Sequence, residues 1–464
     1  MPFSTAMASC LRLQPLCELL LLLWPLFISA SIVTHLPGFH GPLPFHLDTG
    51  YVGVDEVQLF YYFIESEGNP VEDPLILWLT GGPGCSSFCG LFFEVGPLKF
   101  RRVKYNGSLP TLKYHPSSWT KISNMIFLDS PVGSGFSFSN NPETYVDGDV
   151  TSSLRVHKFL RKWLIDHPQF LPNPLYIAGD SYAGKVVPII TDLISQGIES
   201  GAPPPLNLKG YLIGNPFTGE AIDINARVPY AHNMGIISDE IYKSTTISCE
   251  GEDYENPTNA VCAEKLQVVK KYFDEINIKH ILEPKCMRAS PKPKNLSKER
   301  RFLNDEHGKF IMPPDVPALN CRSYYLGYIW ANNDDVRDAL HVQKGTVQEW
   351  IRCNHDLQYA YDIPSSVKYH HKLTSRRYRA LVYSGDHDLV IPHIGTQTWI
   401  RSLNYSIVDD WRSWFSSGQI AGYTRAYDNN LTFATIKGGG HTIQEENLRE
   451  SLTMIKRWLS SKPL

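Results

Sequence analysis

The sequence has no excess of either charge: 44 Lys and Arg stand against 47 Asp and Glu, a formal net charge of -3 over 464 residues. Nucleic-acid binding rests on a basic field that displaces counterions from phosphates, so nucleic acid is excluded as the principal partner. A run long enough to cross a bilayer is also lacking. The apolar stretch Leu19–Ile28 is about ten residues, where a spanning helix needs roughly 20, so no stable membrane anchor is expected. No tight Cys/His cluster has the spacing of a zinc site, so no metal is expected, and nothing in the sequence implies a cofactor. No repeat recurs at a period of about 20–50 residues, which excludes a solenoid or propeller. What is abundant is apolar and turn-forming: 42% hydrophobic residues, 12% aromatics, 33 Gly and 33 Pro. Helix interiors exclude Gly and Pro, so this composition describes a large packed core with many turns and not a coiled coil.

In place of an anchor stands an export signal. Residues 1–30 hold Arg12, the apolar stretch and then the small residues Ser29 and Ala30, the layout of a secretory signal peptide cleaved near Ala30. The mature chain is therefore expected in the secretory pathway, secreted to the exterior or delivered to the vacuole. Cys10 and Cys17 leave with the signal, while Cys85, Cys89, Cys249, Cys262, Cys286, Cys321 and Cys353 meet an oxidising lumen. Their number is odd, so at least one thiol stays unpaired. Asn106, Asn295, Asn404 and Asn430 open Asn-x-Ser/Thr sequons, which points to a glycoprotein.

Apolar runs of strand length recur along the mature chain: Leu59–Phe63, Pro74–Leu79, Met125–Leu128, Leu175–Ala178, Gly210–Ile213, Ala380–Tyr383 and Thr432–Ile436. Continuous runs such as Pro74–Leu79 mark strands covered on both faces. Helical spacing lies between several of them, as in residues 151–166 with Leu154, Phe159, Leu160, Trp163 and Leu164. The fold class is read as α/β with a mostly parallel central sheet, residues 31–464 forming one domain. Between about 216 and 338 the strand signal fades into a stretch with four cysteines, read as an inserted, disulfide-bonded cap. Within it, residues 285–301 carry seven Lys or Arg and one Glu, with Pro291 and Pro293. Such a segment buries too little to fold and reads as an exposed, protease-sensitive basic loop.

Leu175–Ala178 leads into Gly179-Asp180-Ser181-Tyr182-Ala183-Gly184 and on to Val186–Ile190: a strand, a turn with Ser181 at its apex, and a helix. A nucleophile elbow needs small residues two before and two after the serine, because the turn is too tight for larger ones. Gly179 and Ala183 meet that need. A helix starting just past the serine aims its N–H groups at a developing oxyanion. The chain order then requires an acid after a later strand and a histidine after a later one still. Asp386 and Asp388 follow one such strand, and His441, preceded by Gly438-Gly439-Gly440, follows the other. The histidine would take the serine proton while an aspartate fixes its tautomer, and spacing leaves Asp386 and Asp388 equally placed for that role. The block Trp78–Ser87, reading WLTGGPGCSS, follows an early strand, where folds of this kind complete the oxyanion hole with backbone N–H groups.

These blocks, with Phe93–Pro97 and Asp129–Ser137, resemble the serine carboxypeptidase family of secreted α/β hydrolases. They are closer still to its plant carboxypeptidase-like branch, over nearly the whole mature chain. The resemblance implies an α/β-hydrolase fold and a triad of Ser181, Asp388 and His441, the acid being the second Asp of Gly-Asp-x-Asp. It also implies the N–H groups of Gly82 and Tyr182 as oxyanion donors. Disulfides Cys85–Cys353, Cys249–Cys262 and Cys286–Cys321 are implied in the same way, with Cys89 left over. In the family's peptidases an Asn before Gly-Gly, a Glu before the nucleophile and a Glu at the position of Glu94 hold the peptide's terminal carboxylate. Here the substrate-binding set is Thr80, Gly81, Glu94 and Asp180, and of the three recognition positions only Glu94 keeps the peptidase pattern. Thr lacks the two amide donors of Asn, and Asp is one methylene shorter than Glu, so a C-terminus is held more loosely. Thr and Asp here are what the branch's acyltransferases look like. The resemblance thus implies transfer of an acyl group from a 1-O-acyl-β-glucose donor to an alcohol acceptor, without a cofactor. Serine-type carboxypeptidase action on a peptide C-terminus at acidic pH is the alternative. After His441 the chain reads Thr442-Ile443-Gln444-Glu445-Glu446, where the relatives usually have Pro and an aromatic, which implies a different acceptor pocket.

Overall fold

Burial on both faces shapes the middle of the sheet. The computed structural model describes residues 31–101, 103, 105–285 and 319–464. The strands, in chain order, are β1 (Ser31–Ile32), β2 (Leu47–Val54), β3 (Val57–Ile64), β4 (Leu75–Leu79), β5 (Leu98–Phe100), β6 (Leu112–Tyr114), β7 (Asn124–Leu128), β8 (Phe138–Ser139), β9 (Asp147–Gly148), β10 (Leu175–Asp180), β11 (Leu208–Gly214), β12 (Tyr359–Ala360), β13 (Arg379–Gly385), β14 (Ile407–Ser416), β15 (Gln419–Tyr427) and β16 (Leu431–Ile436). The expected export signal, Asn295, the expected Cys286–Cys321 bridge and nearly all of the expected basic loop lie outside the described residues.

Twelve strands make one sheet in the order β1-β2-β3-β7-β4-β10-β11-β13-β16-β15-β14, with β8 paired to β3. From β7 to β16 all neighbours are parallel, and antiparallel strands flank them on both sides. Every apolar run read as a strand lies in this sheet. Leu75, Leu77 and Leu79 face one side and Ile76 and Trp78 the other, and both sets are buried. Fully burying one such side chain contributes about 1.5–3 kcal/mol. The helices Asp149–Asp166 and Ala183–Glu199 cover the Leu77 face with Val156, Phe159, Leu160, Trp163, Val187 and Ile190. Leu154, expected on that buried face, is 40% exposed. It falls on the opposite side of the 3.6-residue period that Val156, Phe159, Leu160 and Trp163 follow. Pro188 sits inside the second helix and supplies no N–H to the Gly184 carbonyl; Ser366 Oγ donates to that oxygen instead, at 3.3 Å.

Strands β14 and β15 escape the sequence reading. They form an edge hairpin with many residues in water, so neither carries a continuous apolar run, and Ser417 and Gly418 turn it with φ of 51° and 76°. Between β11 and β13 the chain leaves the sheet. Helices Ala221–Asn225, Arg227–Asn233, Asp239–Ser248 and Ala260–Glu275, with the turn before the third, gather Val228, Tyr230, Ile237 and Val269 into a small cluster of their own around Leu389. The Cys249–Cys262 disulfide staples the last two. The later helix Leu319–Ala331 instead joins the main core through Tyr324, Leu326 and Trp330. No described helix is long and apolar enough to cross a membrane. Asn106, Asn404 and Asn430 are exposed.

Candidate active site

Loops at the ends of β10, β13 and β16 converge on one point. Ser181 follows β10 with φ of 56°, a left-handed conformation that a non-glycine residue holds only when its surroundings impose it. Here they do: Ser181 N donates to Gly214 O, and Ser181 O accepts from the N–H groups of Gly184 and Phe217, each at 2.9 Å. A Cβ on Gly179 would lie 2.4 Å from Leu79 O and 2.6 Å from Ala183 Cβ, so the turn admits only a small residue there.

His441 Nε2 lies 2.8 Å from Ser181 Oγ, and His441 Nδ1 lies 2.8 Å from Asp388 Oδ2. Asp388 is fully buried, and its Oδ1 accepts from the N–H groups of Val390 at 2.7 Å and Ile391 at 3.2 Å. That leaves Oδ2 for the imidazole and fixes which ring nitrogen faces the serine. Asp386 does something else: its Oδ1 accepts from Gly438 N at 2.7 Å and shapes the histidine loop. Geometry therefore separates the two aspartates that spacing left equal. The segment Ile278–Ile281 is laced to both loops, with Leu389 N donating to Ile278 O, Ile281 N to His387 O and His441 N to Lys279 O.

Asn215, missed in the sequence reading, clamps the histidine loop. Its Nδ2 donates to Gly440 O at 3.0 Å and His441 O at 2.5 Å, while its Oδ1 accepts from Gly385 N at 2.8 Å. The cue in the sequence was slight, an Asn-Pro step just past a strand. Asn215→Ala is expected to lower kcat on an activated ester about tenfold to a hundredfold, with KM little changed, because the imidazole loses its backbone support. Steady-state kinetics on a variant shown by circular dichroism to be folded would check this.

The block after β4 packs against the serine turn. A Cβ on Gly81 would lie 2.6 Å from Tyr182 N and 2.8 Å from Ser181 Cβ, so glycine is needed for the approach. Gly82 follows with φ of 127°, and the Cys85–Cys353 disulfide secures the far side of the loop. Among the described residues neither the Gly82 nor the Tyr182 N–H has an acceptor within the chain. Tyr182 caps the start of the helix Ala183–Glu199, so its N–H lies ahead of the helix's own i to i−4 bonds. Cys89 is a buried thiol outside both bridges.

Three carboxyls gather behind the serine. Asp180 Oδ1 accepts from Gly81 N at 3.3 Å; burial pushes its carboxyl up to about 6, against the pull of His441 and that N–H. Glu94, on a short π-helical turn (Gly90–Glu94), is raised well above the carboxylate range by burial and then by Asp180 and Glu445. Glu445, also missed, receives the Tyr324 hydroxyl at 2.8 Å, and burial lifts it to about 7. A carboxyl raised in the folded state stabilises the fold below its unfolded pKa and loses that contribution as pH rises through its folded one. From about pH 5 to pH 7.5 the wild type is therefore expected to lose roughly 1–2 kcal/mol more stability than Asp180→Asn, which has no such proton to lose. Urea melts of both at the two pH values measure this, and equal losses would contradict burial as the cause.

A family model described as serine carboxypeptidase matches residues 37–461. Among curated relatives, serine carboxypeptidase-like 2 of Arabidopsis thaliana is 49% identical over 458 residues, which is 96% of this chain and 98% of that protein. Serine carboxypeptidase-like 17 of the same plant is 48% identical over 451 residues, 96% and 97% of the two chains. Among solved structures, the prohormone-processing carboxypeptidase Kex1 of Saccharomyces cerevisiae aligns with a TM-score of 0.69 over 94% of this chain and 95% of its own. At 19% identity that likeness speaks for the fold alone. The sheet, the serine turn after β10 and the loops that follow β13 and β16 define a serine-type enzyme of the α/β-hydrolase fold. Within that class, the chain belongs to the serine carboxypeptidase family.

Proposed function

We propose that this protein is an acyltransferase that moves an acyl group from a 1-O-acyl-β-glucose to a hydroxyl acceptor through an ester on Ser181. The observation that carries this reading is how Thr80 and Asp180 are engaged. Thr80 Oγ1 accepts from Trp78 Nε1 at 3.3 Å, and Asp180 Oδ1 accepts from Gly81 N at 3.3 Å. Against the Asn and Glu of the family's peptidases, a single hydroxyl here replaces two amide donors, and the carboxyl is one methylene shorter with one oxygen turned to the backbone. Fewer and shorter-reaching donors therefore face a peptide's terminal carboxylate. Each lost hydrogen bond to that charge is worth about 1.5–3 kcal/mol, roughly tenfold to over a hundredfold in rate. An ester donor brings no such charge.

In this reading His441 Nε2 takes the Ser181 proton as Oγ attacks the acyl carbon, and the Gly82 and Tyr182 N–H groups receive the carbonyl oxygen. The bond from the acyl carbon to the glucose oxygen breaks, and glucose leaves with the proton from His441. The acceptor hydroxyl then gives its proton to His441 and attacks the acyl-enzyme; the new ester departs and Ser181 recovers its proton. Transfer outruns hydrolysis only if the acceptor is held close and water is kept out, a task we assign to the helices between Ala221 and Glu275 acting as a cap. The expected export signal and the disulfides support a reaction outside the cell or in the vacuole.

One observation favours carboxypeptidase action as the second reading. Glu94 Oε2 is buried without a partner among the described residues, and its raised carboxyl would donate to a terminal carboxylate at acidic pH. The two readings share the acyl-enzyme but not its source. Rapid mixing with a 1-O-aroyl-β-glucose, acid quench and mass spectrometry are expected to find the Ser181 peptide heavier by the aroyl group. No acylated peptide and no glucose release would overturn the reading.

A further inference from the structure

Tyr182 lends its amide to the candidate oxyanion hole, but its side chain is held from inside the protein. Its hydroxyl donates to Asp149 Oδ1 at 2.6 Å. Asp149, the first residue of the helix Asp149–Asp166, has no exposed surface. The same oxygen accepts from the Tyr359 hydroxyl at 3.1 Å; Oδ2 accepts from Ile363 N at 3.1 Å and lies 3.7 Å from Lys185 Nζ. Lys185 is also buried, its ammonium 5.6 Å from the ring centroids of both Tyr182 and Phe217. A fully buried carboxylate with three donors and a cation has little freedom to move, since each contact is strengthened by the low dielectric around it.

Tyr359 and Ile363 lie on a loop that begins at Cys353, the partner of Cys85 beside Gly82. At that end Asn354 N donates to Gly84 O, and Ser86 N donates to Arg352 O, each at 2.9 Å. At the other end β12 pairs with β9, the two residues that directly precede Asp149. One loop is thus fastened to the Gly82 block by a disulfide and to Tyr182 through Asp149, so both candidate oxyanion donors share a frame. An oxyanion hole works only while its donors stay about 2.7–3.1 Å from where the oxyanion forms, so that frame bears on rate.

We infer that Asp149 is a positioning residue for the oxyanion hole, acting on the Tyr182 amide through the Tyr182 hydroxyl. The inference rests on Ser181 as the nucleophile and holds for transfer and hydrolysis alike. Tyr182→Phe deletes the hydroxyl but keeps the amide and the ring; Asp149→Asn removes the charge that the tyrosine and Lys185 share. Both are to be compared with wild type on a p-nitrophenyl ester and with phenylboronic acid, whose tetrahedral adduct on Ser181 imitates the transition state. Each variant is expected to lower kcat about tenfold, leave KM within about twofold, and weaken the boronate by the same factor as kcat/KM. If Tyr182→Phe melts earlier yet turns over and binds the boronate like wild type, Asp149 is only structural and the inference is overturned. That variant decides alone if Asp149→Asn does not fold. If the wild type neither cleaves the ester nor binds the boronate, the reading of Ser181 as nucleophile falls, and the inference with it.

Discussion

Asp388→Asn is expected to lower turnover about 10,000-fold while the protein stays folded. Asp388 Oδ1 is pinned by two backbone N–H groups, so the Asn oxygen would take that place. The amide nitrogen would then face His441 Nδ1 and force the proton of the neutral ring onto Nε2. With a hydrogen there, the ring has no lone pair for the Ser181 proton. Asp386→Asn makes the contrast. An amide oxygen can still accept from Gly438 N, so the loss is expected to stay below about tenfold. Burst and steady-state kinetics of both variants on one activated ester measure the difference, and equal losses would contradict the roles that the geometry assigns to the two aspartates.

The double variant Thr80→Asn with Asp180→Glu is expected to raise carboxypeptidase kcat/KM on a blocked dipeptide about tenfold to a hundredfold and to lower transfer. Asn supplies two amide donors where the threonine hydroxyl now accepts from Trp78. Glu reaches one methylene further than Asp, beside a Glu94 carboxyl that Asp180 already influences electrostatically. The two changes act on the same substrate carboxylate, so each alone is expected to give less than half of the joint free-energy gain. Parallel assays of the four proteins on both substrates measure this. A double variant with no peptidase gain would mean that these positions do not set the choice of substrate.

What the sequence made legible, and what it hid, follows from the range of the forces involved. The central strands are covered on both faces, so their apolar runs stand out, and the serine turn announces itself because only small residues fit two places before and after Ser181. The β14–β15 hairpin is at an edge, with Trp411 and Phe415 partly in water, and left no comparable run. Asp386 and Asp388 share one loop, so only the directions of their hydrogen bonds tell them apart. Asn215 reaches His441 across 226 residues and Tyr324 reaches Glu445 across 121. Nothing local marks such residues, because their contacts exist only once the sheet has brought the loops together. Asp149 is hidden for the same reason: it reads as an ordinary acidic residue at a helix start until Tyr182, Tyr359 and Ile363 close around it.

The measurement closest to the central claim sets two reactions side by side. The purified protein is incubated with a 1-O-aroyl-β-glucose and a panel of alcohols, and in parallel with a blocked dipeptide near pH 5, with Ser181→Ala as the blank. The account predicts an aroyl ester of one of the alcohols that requires Ser181, with little dipeptide cleavage. Dipeptide cleavage at the level of an authentic carboxypeptidase, with no glucose ester consumed, would contradict it.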